Sequence, residues 1–243
     1  MKAMIFAAGL GTRLKPLTDE MPKALIPING KPMIEHLILR LKESGFDHLV
    51  INIHHKGELI LDFLAANNNF GLKIDISDER DYLLDTGGAI KKAADFLKGD
   101  EPFLVHNVDI ISNVDLRKLY DTHLASDALA TLLVSKRKTS RYLLFNKENL
   151  LCGWRNHETG EVKSHFPDFN PENYNEYAFG GIHVLSPEIL EWMAEWTGKF
   201  SIINFYLSVC AKTNIMAYPA ENLRLIDIGK PEALEKAEEF LNS

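Results

Sequence analysis

The sequence predicts an α/β fold, a mixed and mostly parallel sheet flanked by helices, with a small antiparallel insert in its second half. Three observations carry this. Short apolar runs at 3–8, 49–53 and 72–76 read as strands, the last alternating apolar with polar as a half-buried strand does. Between them apolar residues recur at helical spacing, at Met33, Ile34, Leu37, Ile38 and Leu41 and again across 59–64, and this alternation implies βαβ crossovers and a parallel sheet. The first run also breaks into Gly9-Leu10-Gly11, and in such sheets ligands collect at the C-terminal ends of strands.

That loop is the most informative stretch of the chain. Glycines let backbone approach a ligand closely, and a turn rich in exposed N–H groups forms a concavity for anions. Arg13 and Lys23 place two cations beside it, which is chemistry for a polyphosphate. Two other phosphate loops are excluded. No Gly-Lys-Ser/Thr follows, as a Walker A loop requires. A dinucleotide fingerprint needs a third small residue where this chain has Leu14, and Pro16 and Pro22 delay any long helix until after Lys31-Pro32.

Composition bounds the answer. A chain of 243 residues with 46% hydrophobic and 25% charged residues is an ordinary globular composition. A net charge of −7 argues against a general nucleic-acid binder while permitting local positive charge. Cys152 and Cys210 offer neither metal spacing nor a disulfide framework, read as small buried apolar residues, and suit a reducing cytoplasm. The apolar N-terminus is too short and too glycine-interrupted for a signal peptide, and no segment approaches a membrane span, so a cytoplasmic location is expected. The nine histidines show no zinc-ligand spacing and read as polar strand-end residues.

The elements follow in order. Pro32 can open the first long helix, where its missing N–H costs nothing, and Gly45 stops it. Asp85-Thr86-Gly87-Gly88-Ala89-Ile90 opens a helix running to about Leu97, with Asp85 or Thr86 as its cap. Capping does not explain the Gly87-Gly88 pair. Residues 102–109 form a buried strand ending in Asp109, on the same sheet edge as Gly9; a lone Asp there is also a common turn residue. A helix at 116–124 and a strand at 129–134 lead to a basic run, Lys136-Arg137-Lys138-Thr139-Ser140-Arg141. It reads either as a solvated hairpin end or as cover for the pocket that attracts anions. Strands near 142–145 and 150–154, with Glu158-Thr159-Gly160-Glu161 as a turn, form the antiparallel insert and one wall of an acceptor site. After a polar loop at 167–175 the chain returns to strand at 177–184, to a helix at 200–209, and to strands at 215–218 and 223–228. A terminal helix carries Leu234, Ala237, Phe240 and Leu241.

The run Ala7-Ala8-Gly9-Leu10-Gly11-Thr12-Arg13-Leu14, with Pro22-Lys23-Ala24-Leu25 downstream, resembles the signature of the sugar-1-phosphate nucleotidyltransferases, or nucleoside-diphospho-sugar pyrophosphorylases. The resemblance extends through Ile28-Asn29-Gly30-Lys31-Pro32-Met33-Ile34, Thr86-Gly87-Gly88-Ala89, Asp109 and Ile226-Asp227-Ile228-Gly229-Lys230-Pro231-Glu232, nearly the whole chain. Within that family it is most similar to short bacterial enzymes of the N-acetylmuramate-1-phosphate uridylyltransferase kind.

The resemblance implies a Rossmann-like fold in one domain, 1–243, with a nucleotide-binding half at 1–135 and an acceptor-binding half at 136–243. It assigns the nucleotide to Ala7, Ala8, Gly9, Gly11, Thr12, Arg13 and Lys23, with Glu79 and Gly88 near the base. Arg13, Lys23 and Asp109 become catalytic, Asp109 and Asp227 would hold Mg²⁺, and Asn107, Lys163 and Gly181 would meet the sugar. Three departures stand out. Val108 occupies the glycine of the usual Asn-Gly-Asp, Leu225 replaces a tryptophan, and the usual Glu-Lys-Pro is missing, so that Lys163 substitutes for its lysine.

The implied reaction joins a nucleoside triphosphate to a sugar 1-phosphate and releases pyrophosphate, UTP with N-acetylmuramate 1-phosphate being the leading pair. Alternatives are a mannose-1-phosphate guanylyltransferase or a choline-phosphate cytidylyltransferase. A non-catalytic nucleotide-sugar sensor and a dinucleotide-dependent oxidoreductase are rivals of other classes. The sequence reads out neither base, sugar nor oligomeric state.

Overall fold

A computed structural model describes residues 1–242. In chain order the strands are β1 (Lys2–Phe6), β2 (Pro27–Ile28), β3 (Lys31–Pro32), β4 (His48–Ile53), β5 (Lys73–Asp78), β6 (Phe103–Asn107) and β7 (Ile110–Ser112). The second half adds β8 (Ala130–Ser135), β9 (Arg141–Phe145), β10 (Leu151–Asn156), β11 (Val162–Lys163), β12 (Asn175–Leu185), β13 (Ile215–Pro219) and β14 (Leu225–Asp227). The helices are α1 (Leu17–Glu20), α2 (Met33–Glu43), α3 (Gly57–Ala66), α4 (Asp85–Lys92), α5 (Ala94–Leu97), α6 (Leu116–Leu124), α7 (Ile189–Trp192), α8 (Ile202–Val209) and α9 (Glu232–Leu241).

One ten-stranded sheet runs in the order β11-β10-β9-β12-β6-β1-β4-β5, with β8 joined to β12 and β13 to β8. Strands β6, β1, β4 and β5 are parallel, whereas β12 runs antiparallel to β6, β8 and β9. The expected insert is therefore a continuation of the main sheet through β12. Because β4 lies on one side of β1 and β6 on the other, the chain reverses its winding at β1, the place where α/β sheets open a ligand crevice.

Both faces of the parallel part are covered, as such strands require. Ala3 and Ile5 of β1 pack with Ile34, Leu37, Ile38 and Leu41 of α2 on one face. Met4 and Val50 pack with Ile90 and Phe205 on the other. Each such large side chain contributes on the order of 2 kcal/mol by leaving water. Gly45, at φ 88°, ends α2: its amide and that of Phe46 return to the carbonyls of Lys42 and Leu41. Among the described residues no helix is long and apolar enough to cross a membrane.

The helix expected from Asp85 to Leu97 is broken at Ala93. It is also not capped by Asp85 or Thr86. Leu84 holds the cap position without a side-chain bond, and Asp85 sits at φ 61° with its own carboxylate accepting from the Thr86 amide at 2.6 Å. The Thr86 hydroxyl instead accepts from the amide of Ile202, tying α4 to α8 at 2.9 Å.

Candidate active site

A cleft of about 450 Å³ opens at the C-terminal ends of β1 and β6. Its walls include the loop at 7–13, Lys23, the segment Asn107-Val108-Asp109, and Asp85, Thr86 and Lys199 opposite. The geometry starts from Phe6, whose neighbours across the parallel ladders are Asn52 on β4 and Asn107 on β6.

Asn52 is the hook that shapes the glycine loop. Its Oδ1 accepts from the amides of Ala7 (2.7 Å) and Ala8 (3.3 Å), and its Nδ2 donates to Glu79 Oε1 at 2.8 Å. Glu79 Oε2 then accepts from the Leu84 amide at 3.1 Å. All three bonds from Asn52 are buried, and a buried polar group left unpaired costs about 1–3 kcal/mol, so the loop's start is fixed before any ligand arrives. Ala7 and Ala8 thus supply wall and not phosphate-binding amides. Gly9, Leu10 and Gly11 show no protein acceptor for their amides among the described residues. The two glycines differ in kind. A Cβ on Gly9 would have open space, whereas Gly11 sits at φ 62° with Thr18 only 2.7 Å from where its Cβ would lie.

The charged groups converge on the same mouth. Lys23 is buried and its ammonium pairs with Asp109 Oδ2. Asp227 is brought to Asp109 by the antiparallel ribbon of β7 and β14, in which Asp227 faces Ile110 and the Ile228 amide donates to the Asp109 carbonyl at 2.9 Å. The Arg13 guanidinium and the Asp227 carboxylate both lie about 3 Å from where a Gly229 Cβ would be, at 2.7 and 3.0 Å. Gly229 is a glycine for that reason. Asp227 reaches solvent, yet the cleft walls desolvate it and Asp109 repels its charge, which together hold its carboxyl above the ordinary range. Lys23, Arg137 and Arg13 pull it back.

Three of the residues expected at the site lie outside the cleft lining, and a fourth, Glu79, lines it with its carboxylate bonded to protein. Gly88 faces away from the cleft: its Cβ would lie 2.6 Å from the Gly198 carbonyl oxygen, and that of Gly87 2.4 Å from the Phe200 ring. The pair is small so that α4 can pack on the 198–200 segment. Glu79 touches the cleft, but it is fully buried and both its oxygens are bonded to protein. Lys163 lies on the outermost strand, 3.3 Å from Glu161 and over the Trp154 ring at 5.0 Å, outside the cleft lining. Gly181 is buried at φ 71° behind Asn107, whose Nδ2 is 2.9 Å from where a Cβ would be; it supports the cleft wall without forming it. Val108 does line the cleft, and its amide is held by the Phe6 carbonyl at 3.1 Å.

Two residues of the cleft are absent from the sequence-based expectation. Asn52 had a signal, an amide inside the apolar run 49–53. Lys199 had only charge to mark it, and reaches the cleft by tertiary packing. Arg137, part of the basic run read as a solvated hairpin end or as pocket cover, lines the hollow that adjoins the cleft at Asp227.

The family profile of the nucleotidyl transferases matches residues 2–243. The chain belongs to the nucleotidyl transferase family. It is 33% identical to an N-acetylmuramate alpha-1-phosphate uridylyltransferase of Caulobacter vibrioides, over 97% of this chain and 95% of that one. A D-glycero-alpha-D-manno-heptose 1-phosphate guanylyltransferase of Aneurinibacillus thermoaerophilus is 28% identical, over 99% and 98%. Among solved structures, HddC from Yersinia pseudotuberculosis complexed with GMP-PN superposes with a TM-score of 0.75 at 26% identity, covering 99% of both chains. Of the residues singled out in the sequence, Arg13, Lys23, Asp109 and Asp227 come together at the cleft mouth.

Proposed function

We propose that this protein transfers a nucleotidyl group from a nucleoside triphosphate to a sugar 1-phosphate, with UTP and N-acetylmuramate 1-phosphate as the first pair to test. The observation that carries the reading is the convergence of Arg13, Lys23, Asp109 and Asp227 beside a loop with unspent amides. The uridylyltransferase similar over almost its whole length supports the substrate choice. A guanylyl reading is the runner-up, supported by the heptose 1-phosphate guanylyltransferase matched over 98% of its own length.

In this mechanism an oxygen of the sugar phosphate attacks the α-phosphorus; the bond to the β-phosphate breaks and pyrophosphate leaves. The nucleophile is already ionised, so no general base is needed. The difficulty is that two anions must meet, and the protein's task is alignment and charge neutralisation. The amides of Gly9, Leu10 and Gly11 with Arg13 hold the triphosphate and the leaving pyrophosphate. Lys23, fixed in direction by Asp109, stabilises charge at the α-phosphate. Asp85 and Thr86 bound the end of the cleft away from Asp109.

Mg²⁺ fits the residues present. Asp109, in the turn just before β7, and Asp227, at the end of β14, are hard oxygen donors, and Asp109 Oδ1 is left open by the Lys23 pair. No group of three metal-ligating side chains occurs among the described residues, so phosphate oxygens and water would complete the shell. When bound, the ion would supply charge neutralisation across the α-phosphate and the leaving group.

The test is pyrophosphate release with and without Mg²⁺, across UTP, CTP, GTP, dTTP and ATP against several sugar 1-phosphates and choline phosphate. Metal-dependent release from one pair names both substrates. Nucleotide-sugar binding without release from any pair would replace this reading with the sensor.

A further inference from the structure

Beyond Asp227 the cleft does not end. It shares Arg13 and Gly229 with a second hollow at Asp227, which shares Arg137 and Leu225 with a third. The third hollow, of about 410 Å³, lies at the C-terminal ends of β8 and β13, which run parallel to each other. Through β12 these strands point the same way as β6, so the hollow opens on the sheet edge that carries Asp109.

The lining is unusual for a surface hollow. Val134, Pro219, Ala220, Leu223 and Leu225 make apolar walls. Among them stands Ser135, whose hydroxyl oxygen is buried and has no hydrogen-bond partner. Arg137 stands at the junction with the Asp227 hollow; it donates to the Phe179 carbonyl at 3.3 Å, and its charge also acts on the Asp227 carboxylate. A buried hydroxyl without a partner costs free energy that a ligand oxygen would recover. A guanidinium beside it prefers a planar carboxylate, which it can hold with two parallel N–H bonds. A phosphate dianion would want more donors than one guanidinium, one hydroxyl and Lys136 provide, and it would gain nothing from apolar walls.

We infer that this hollow is a subsite for a carboxylate carried on a short apolar arm of the acceptor, bound by Arg137 and the Ser135 hydroxyl. The inference rests on the proposed reaction only in taking the ligand to be that reaction's acceptor. It makes Arg137 and Ser135 the residues that separate an acidic sugar 1-phosphate from its neutral counterpart, a task assigned by none of the motif residues.

The experiment compares N-acetylmuramate 1-phosphate with N-acetylglucosamine 1-phosphate, the same sugar without the carboxylate arm. Calorimetric binding and kcat/KM for pyrophosphate release are measured on wild type, Arg137→Met, Arg137→Lys and Ser135→Ala. Wild type is expected to prefer the acidic acceptor. That preference falls by about 10–100-fold in Arg137→Met, the worth of a hydrogen-bonded charged contact, less in Arg137→Lys, and by several-fold in Ser135→Ala. Equal binding of the two acceptors by wild type, or a preference that survives both Arg137→Met and Ser135→Ala, overturns the inference while leaving nucleotidyl transfer intact. An Arg137-dependent binding preference with no pyrophosphate release upholds the subsite and removes the catalytic reading. Should Arg137→Met fail to fold, the milder Ser135→Ala and Arg137→Lys carry the same comparison.

Discussion

Lys23 and Asp109, 86 residues apart in the chain, form an ion pair on the floor of the cleft, where Lys23 is buried and Asp109 is partly open. The pair aims the ammonium at the cleft and keeps one carboxylate oxygen free. Lys23→Met should lower kcat/KM by about 10²–10³-fold, the usual cost of removing one preorganised donor from a transition state. Folding stability should change by less than about 2 kcal/mol, because Asp109 can be rehydrated. Pyrophosphate-release kinetics beside a urea melt separate the two effects, and near-normal turnover would remove Lys23 from the mechanism.

Arg13 is exposed and poised beside Asp227 over Gly229. By analogy with arginines that stabilise phosphoryl transfer, Arg13→Ala should cost on the order of 10³-fold in rate with an unchanged melting temperature. An Arg13→Ala protein turning over at the wild-type rate would refute this.

The two loop glycines should part company on substitution. Gly9→Ala has room in the free protein, so it should fold normally and raise KM for the nucleoside triphosphate. Gly11→Ala forces a side chain into a left-handed backbone against Thr18 and should cost about 1–3 kcal/mol of stability. Thermal melts of the two variants, with nucleotide titrations, read both effects; a destabilised Gly9→Ala would show that its smallness serves folding.

Asn52→Leu should disorder the loop from behind. It strips the acceptor from the Ala7 and Ala8 amides and the donor from Glu79, with an expected loss on the order of 3 kcal/mol. Hydrogen exchange should show the Ala7 and Ala8 amides exchanging faster while the β5 amides stay protected.

His106 on β6 and His183 on the neighbouring β12 are buried on opposite faces of the sheet, and each is pushed down to about 3. Loss of hydration on burial dominates for both; Arg40 adds to it at His106, and His106 at His183. His106 Nε2 is buried without a partner. Between the ordinary value of 6.5 and about 3, the unfolded chain binds the proton and the folded one does not. Stability is therefore complete above 6.5 and falls as the pH drops through that window. Each histidine should remove about 2 kcal/mol between pH 6.5 and 5. Urea midpoints at pH 7 and 5 should differ less in His106→Gln than in wild type; identical differences would show that His106 titrates normally.

Much of this protein was legible in its sequence because the signals were local. The apolar period placed β1, β4 and α2, since covering both faces of a parallel strand demands continuous hydrophobicity. Gly11 was marked by a backbone geometry that few other residues adopt, and Arg13 and Lys23 by charge beside a loop. The acid Asp109 was visible at a strand's end, open to a bland reading as a turn residue, and Asp227 through the motif around it. What brought them together is the β7–β14 ribbon, a pairing across more than a hundred residues that no local pattern encodes.

Where the sequence-based expectation and the structure part, side-chain direction or strand order decides. Gly88 looked like a ligand contact because smallness has the same spelling whether it admits a nucleotide or a neighbouring carbonyl; the packing of Gly198 on α4 decided it. Lys163 had the right type and an approximate position, but strand order put it at the far sheet edge. Asn52 and Ser135 gained meaning only from what surrounds them, and Arg137 was visible only as one charge of a basic run. Chain order determined the elements and the charges, by propensity and periodicity. Tertiary structure decided which charges share a cleft, because long-range strand pairing sets distances that the sequence carries only jointly.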